Sequence, residues 1–281
     1  KITGDMGTAT AEESGARWKV LHQMTVVALA VIGEARFQDM VIKRAVDMHP
    51  ATHYLVCEAL AGAGDKGIEA LKKKIVDAAG VEEIVKLEAM RRLSAAKKLD
   101  AAALKELATG KAGASVRALS LQLLAGVDEK LAKETCAKIV ADYGTGSGEL
   151  KADEAFVVAS AAQVGGRLGG LKAAELVKAV ERAIATKAFA RREGKNEADI
   201  TKAEVKLHPA LLETLVVERG RTGEAAAAPT LIAILIKAAM PQGRPEAALA
   251  LGAVKTKEGT ALLPRSIEDD PDGWVRYCAY K

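Results

Sequence analysis

Aromatic residues are scarce: two Trp, four Tyr and three Phe make up 3% of the 281 positions. Sandwiches and barrels draw on β-branched and aromatic residues with a turn signal every ~8–12 residues, and this composition argues against both. Cysteine is scarce too. Cys57, Cys136 and Cys278 are an odd number at wide spacing, with no CxxC and no CxxCH. That pattern supports neither a disulfide framework nor a zinc ribbon nor c-type haem attachment, and it is read as reduced, buried thiols in a cytoplasmic protein. The apolar run Met24–Ile32 is too short to span a bilayer. No signal-peptide pattern opens the chain. The sequence starts at Lys1 and stops at Lys281 in what reads as the first helix of a new unit, so both ends read as incomplete. The chain is expected to continue beyond 281, and a removed signal peptide is left open. Charge of one sign is also lacking, since 41 basic against 37 acidic residues leave a net +4. A dedicated nucleic-acid binder usually carries a stronger imbalance or a basic stripe.

What is present is Ala, Leu and Val. Hydrophobic residues reach 49%, enough for a core and too much for disorder. Ala and Leu are the strongest helix formers, so thin helices packing closely are expected. An internal repeat organises them: an apolar residue, a basic one, a small residue near +4 and a small-Leu pair near +7. It starts at Leu21-His22, Thr52-His53, Val85-Lys86, Val116-Arg117, Gly243-Arg244 and Val275-Arg276. The first four starts lie 31, 33 and 31 residues apart and the last two 32. Two longer, degenerate units begin near Ala155 and Pro209. Their extra length sits in insertions at 143–151 and 187–206, which repeat arrays usually place in loops on one face. Each unit reads as helix, turn, helix; in the second, Ala51–Gly62 and Gly67–Ala79, with Pro50 in the first turn. One such pair cannot hide its apolar face alone, and stacking builds a continuous core. The first-helix stripe (Ala28, Leu60, Leu124, Leu251) is expected to be consumed by that stacking.

The residues Leu262–Lys281, with Asp270-Pro271-Asp272 linking a second helix to Val275-Arg276, resemble the HEAT-like repeat superfamily, in particular the short units of phycobilisome lyase-like proteins. Asp65 after Gly64, and Pro229 early in a second helix, carry the same resemblance. It implies an all-α, right-handed α-solenoid of about 7–8 HEAT-like helix pairs over residues 15–281, behind an N-terminal tail of residues 1–14. Such solenoids host many functions, so the resemblance speaks for fold.

Few residues suggest chemistry. His49, His53 and Cys57 form the one metal-like cluster, with His53 and Cys57 four apart on one helix face. The repeat register places Cys57 at a core position and His53 at the exposed position of Arg117 and Arg276, so no metal is expected. The repeat-position basic residues (His22, His53, Lys86, Arg117, Arg244, Arg276) form either a ladder for an anionic partner or register-fixing pairs with acids such as Asp65 or Asp272; the second is preferred. Gly144–Gly148 lacks the Gly-Lys-Ser/Thr ending of a phosphate loop and reads as a linker. No Ser/His/Asp, Cys/His or paired-carboxylate arrangement stands out, so neither enzyme nor cofactor is expected.

The function expected is a non-enzymatic scaffold or adaptor that binds a protein partner through a concave surface of second helices. Lys72, Lys73, Lys74, Arg191, Arg192 and Trp274 are the partner-binding candidates, because Trp and Arg are the usual interface anchors. Nucleic-acid binding through basic second helices is the first alternative. It is disfavoured because the inner face is mixed in charge, and because phosphate neutralisation needs basic residues along the whole groove. A chromophore-lyase-type enzyme is the second, implied by the resemblance only.

Overall fold

The computed structural model describes residues 11–78, 80–147, 150–185, 211–237 and 243–281. Among these residues every regular element is helical and there is no strand. The chain divides into two compact units, residues 1–100 and 101–281.

In the first unit α1 (Ala11–Val31), α2 (Ala35–Arg44), α3 (His53–Gly62), α4 (Gly64–Leu71) and α5 (Glu83–Ala95) follow one another. A 3₁₀ turn, Pro50–Thr52, leads into α3, and α4 runs on into a π turn at Lys72–Val76. Helices α1, α3 and α5 pack in succession, and α2 and α4 pack together beside them. In the second unit α6 (Ala101–Thr109), α7 (Ala114–Val127), α8 (Glu129–Thr145), α9 (Ala152–Arg167) and α10 (Ala173–Ala185) are followed by α11 (Leu211–Arg221), α12 (Ala228–Lys237), α13 (Gly243–Val254), α14 (Lys257–Asp269) and α15 (Gly273–Tyr280). Helices α7, α9, α11, α13 and α15 touch in succession, while α6, α8 and α10, and separately α12 and α14, form the accompanying rows.

Local chemistry starts several helices. The Asp128 carboxylate accepts from Leu131 N at 2.9 Å to open α8, and Asp272 accepts from Trp274 N at 2.8 Å to open α15. Thr256 caps α14 through Gly259 N. The tail expected at 1–14 overlaps α1, which begins at Ala11.

The buried side chains recur at n, n+1 and n+4 of the first helices. Val26, Val27 and Ala30 fill these places in α1, and Val56, Cys57 and Leu60 in α3. Ala89, Met90 and Leu93 do so in α5, Ser120, Leu121 and Leu124 in α7, and Ala247, Ala248 and Leu251 in α13. Leu60, Leu124 and Leu251 are therefore buried as expected. Ala28 is not: it is exposed, as are Leu21 and His22. The register expected for the first unit is off by one residue, and Gln23 takes the place assigned to His22. The cause is that α1 carries apolar residues on both sides, so periodicity alone could not tell its inner face from its outer one.

A core of small residues requires close crossings. Gly67 lies in the first turn of α4 against α3, where a Cβ would overlap the carbonyl oxygen of Leu60 and sit 2.8 Å from Ala63 Cβ. Gly144, expected in a linker, belongs instead to α8, and a Cβ there would stand 3.1 Å from Ala179 N of α10. The expected insertion at 143–151 thus starts inside a packed helix.

Gly67→Ala should lower stability by about 2 kcal/mol or more, since the obstacle is backbone that cannot step aside. Gly62→Ala, in the same hairpin with nothing within 4 Å of its Cβ, should be neutral or stabilising by up to ~1 kcal/mol. Paired urea melts of the two variants check this; equal midpoints would contradict the close-crossing account.

Candidate partner-binding surfaces

The three lysines of the basic run do different things. The π turn takes them off α-helical spacing. Lys73 is exposed and pairs with Glu69 at 2.8 Å, one turn earlier. The Lys74 ammonium donates to the carbonyls of Ile42 and Lys43, at 2.7 and 2.9 Å. These are orphan carbonyls at the C-terminus of α2, where a cation is also favoured by the helix dipole. Lys74 is therefore a cap, which corrects its reading as an exposed recognition residue. Lys72 and Lys73 stay on the surface. Arg191 and Arg192 lie outside the described residues.

The repeat-position arginines serve a related purpose. Arg117 Nε donates to Ala108 O at 3.1 Å, and Arg244 Nε to Leu235 O at 2.7 Å, each nine residues back at the end of the preceding helix. Arg276 Nη1 reaches Asp270 O at 2.6 Å. Arg244 also forms an ion pair with Asp270, whose other carboxylate oxygen accepts from Asp272 N at 3.0 Å. Arg244 thus pairs with an acid, though neither of the two expected, and the partner that Arg117, Arg244 and Arg276 share is a backbone carbonyl, so they tie the fold by another partner than the expected acids. Asp65 does pair, at 3.2 Å, but with Lys98. Arg182 lies over the Tyr143 ring at 4.6 Å and donates to Tyr143 O, so a further cation from a second helix is engaged within the fold.

His53 departs from its expected place. It is buried, with Nε2 bonded to Met48 O at 2.9 Å, and its Nδ1 is enclosed without a partner. Thr52 sits at the buried start of the repeat, and the 3₁₀ turn brings the Met48 carbonyl to the ring. Cys57 is buried as expected, its thiol toward Val85 O at 3.8 Å. Burial, reinforced by Glu88, pushes that thiol up to about 12, so a thiolate ligand would be costly there. Among the described residues no three His, Cys, Asp or Glu side chains gather as a metal site would need.

A buried carboxylate escaped the sequence reading. Glu218 of α11 is 2% exposed. Arg221 donates to its Oε1 at 2.7 Å and forms a second ion pair with Glu246 of α13. Glu218 Oε2 is enclosed without a partner, over Gly166 of α9, where no Cβ would fit. Burial raises this carboxyl from 4.5 to about 7, against the opposing pull of Arg221 and Arg167. A signal existed in the sequence, because Glu218 directly follows Val216-Val217 at core positions.

The most accessible recognition chemistry is on α15. Trp274 is 62% exposed and stacks on Tyr277, ring centroids 5.2 Å apart and planes 16° from parallel. Tyr280 is 76% exposed on the same short helix. Trp274, one of the expected partner-binding residues, therefore faces solvent. A shallow groove of about 330 Å³ runs between α12, α13 and α14, lined by Ile236, Leu262, Arg265 and the Arg244–Asp270 pair. The lysines of the first unit and Trp274 of the second belong to different compact units. No described helix is long and apolar enough to cross a membrane. Compared with known proteins, the chain matches no family model and no curated sequence.

Two expectations follow. Lys74→Ala should cost about 1–2 kcal/mol through its two charge-assisted bonds, whereas Lys72→Ala should stay within ~0.5 kcal/mol; chemical denaturation of both variants separates the roles. For Glu218, the unfolded chain releases its proton near 4.5 and the folded chain holds it to about 7. Glu218 therefore costs nothing below pH 4.5, and stability falls as pH rises from there to 7, by roughly 3 kcal/mol. Glu218→Gln should abolish that decline. If wild type and variant share one stability profile across this window, the buried carboxyl is not protonated.

Proposed function

We propose that the chain is a HEAT-like repeat protein whose helix pairs stack as a right-handed solenoid, and that it acts as a non-enzymatic scaffold for protein partners. The repeat reading is supported by the recurrence of the buried n, n+1, n+4 positions and of an arginine donating to a carbonyl nine residues back. The binding reading is carried by one observation, the stacked and solvent-facing Trp274 and Tyr277 with Tyr280 beside them. One of only two Trp and two of only four Tyr in the chain stand in water on one short helix. Large amphipathic rings held at low entropy are what interface hot spots are made of.

Nucleic acid is the weaker reading on the same page. Lys74, Arg182 and Arg244 are engaged in ties to carbonyls, and Lys73 in an ion pair. These cations are engaged within the fold, which weakens a continuous track for a phosphate backbone.

The test is capture of partners by the tagged full chain, compared between wild type and Trp274→Ser/Tyr277→Ser. The partners should be lost at least tenfold in the double variant while its melting curve stays within about 0.5 kcal/mol of wild type. Capture should weaken only modestly from low to physiological salt. Equal capture by both proteins sinks the assignment to α15. A loss of ~10³ or more over that salt range, with labelled duplex DNA bound, shifts the function to nucleic acid.

A further inference from the structure

The connection from α2 to α3 leaves a groove against the N-terminal part of α1. Helix α1 has 21 residues and α2 only 10, so about 16 Å of α1 has no length of α2 to pair with. Val26, Val27 and Ala30, nearer the other end, enter the core. The exposed outer stripe of α1 (Trp18, Leu21, Thr25, Ala28 and Ile32) runs along the opposite side. Where the core-facing side of α1 runs on toward its start, Lys19, Val20 and Gln23 meet the turn at Asp47, Met48 and His49 in a groove of about 780 Å³. That volume is in the range of small-molecule sites. The two walls are tied together, since His49 N donates to Gln23 Oε1 at 2.7 Å. Val20 and the buried Met48 give the groove apolar lining.

The polar groups lining this groove are unevenly matched. Lys74, Arg117, Arg182 and Arg244 are committed to main-chain carbonyls. Arg17 and Lys19, which line the groove to either side of Val20, take no ion pair or hydrogen bond among the described residues. Gln23 lies one turn after Lys19 on the same helix face. Its Oε1 is occupied by His49 N, which leaves its amide N–H groups as donors. His49 Nδ1 accepts from Ala51 N at 3.2 Å, so the ring hydrogen sits on Nε2 and is a further donor. Against these donors stands one acid, Asp47. Apolar lining with unspent cations selects an anion that has an apolar body. The single acid limits the charge of that anion, because Asp47 opposes a second negative charge. Arg17 to Gln23 spans about 9 Å of helix, room for a short alkyl chain. We infer that this groove binds a medium-chain aliphatic monocarboxylate. Its carboxylate sits at Lys19, Gln23 and His49, its chain lies over Val20 and Met48, and Arg17 flanks the other rim.

Octanoate, titrated into the full chain at neutral pH below its micelle concentration and followed by calorimetry, should bind at one site. The dissociation constant should be on the order of 0.1–1 mM, as so small a ligand allows. Octanol and octylamine should bind at least tenfold more weakly, and acetate should give no heat. Octyl phosphate should bind more weakly than octanoate, and Asp47→Asn should narrow that gap at least threefold. Lys19→Gln should weaken octanoate tenfold or more and Arg17→Gln by less. Both side chains are exposed, so the melting curves of the free variants should match wild type. Absence of octanoate binding, or octanol bound as tightly as octanoate, overturns the inference. Unchanged octanoate binding by Lys19→Gln overturns the assigned site. Octyl phosphate bound more tightly than octanoate by the wild type overturns the choice of a monoanion.

Discussion

With a core of Ala, Val, Leu and Gly, helix axes must come close before side chains touch, and that single demand shapes the rest of the molecule. It explains why Gly67 and Gly144 stand where one backbone meets another. It also explains why the ends of the helices need their own polar ties. Thin helices brought close leave little room for loops to wrap their termini. Lys74, Arg117 and Arg244 supply donors to the last carbonyls instead. The cost of the arrangement is visible at Glu218, where the space opened by Gly166 is filled by a carboxyl that favours its neutral form.

The same economy separates cations that hold the fold from cations that face water. A basic residue on a second helix looks like recognition chemistry when counted along the chain. In three dimensions Lys74 and Arg182 point back to main-chain oxygens. Apolar and aromatic groups also face water: the α15 rings in one unit, the outer stripe of α1 in the other.

Much of this was legible from residue order. Helix type followed from Ala and Leu content. The positions of Cys57, Leu124 and Leu251 in the core followed from the repeat, because small and apolar residues recur where neighbours approach. Arg117 and Arg244 were correctly read as structural, but their partner was not, since a backbone carbonyl leaves no trace in a sequence. His53 was read from its equivalence to those arginines; its ring is buried instead and bonds to the Met48 carbonyl. The face of α1 was misread by one residue because both of its faces are apolar. Glu218 was passed over because a charged letter is read as surface unless something, here a glycine on the facing helix, shows there is room for it inside.

The π turn at Lys72–Val76 has one further consequence. A wider turn accommodates one residue more than an α-helix would over the same rise. It sets the rotational phase by which Ile75 and Val76 reach the core after Leu71. The lysine run is therefore asymmetric toward changes in length. Losing one lysine lets the segment relax to ordinary α geometry with its apolar residues a fraction of a turn away. Gaining one has no slack left to absorb it, and would rotate Ile75 and Val76 out into water.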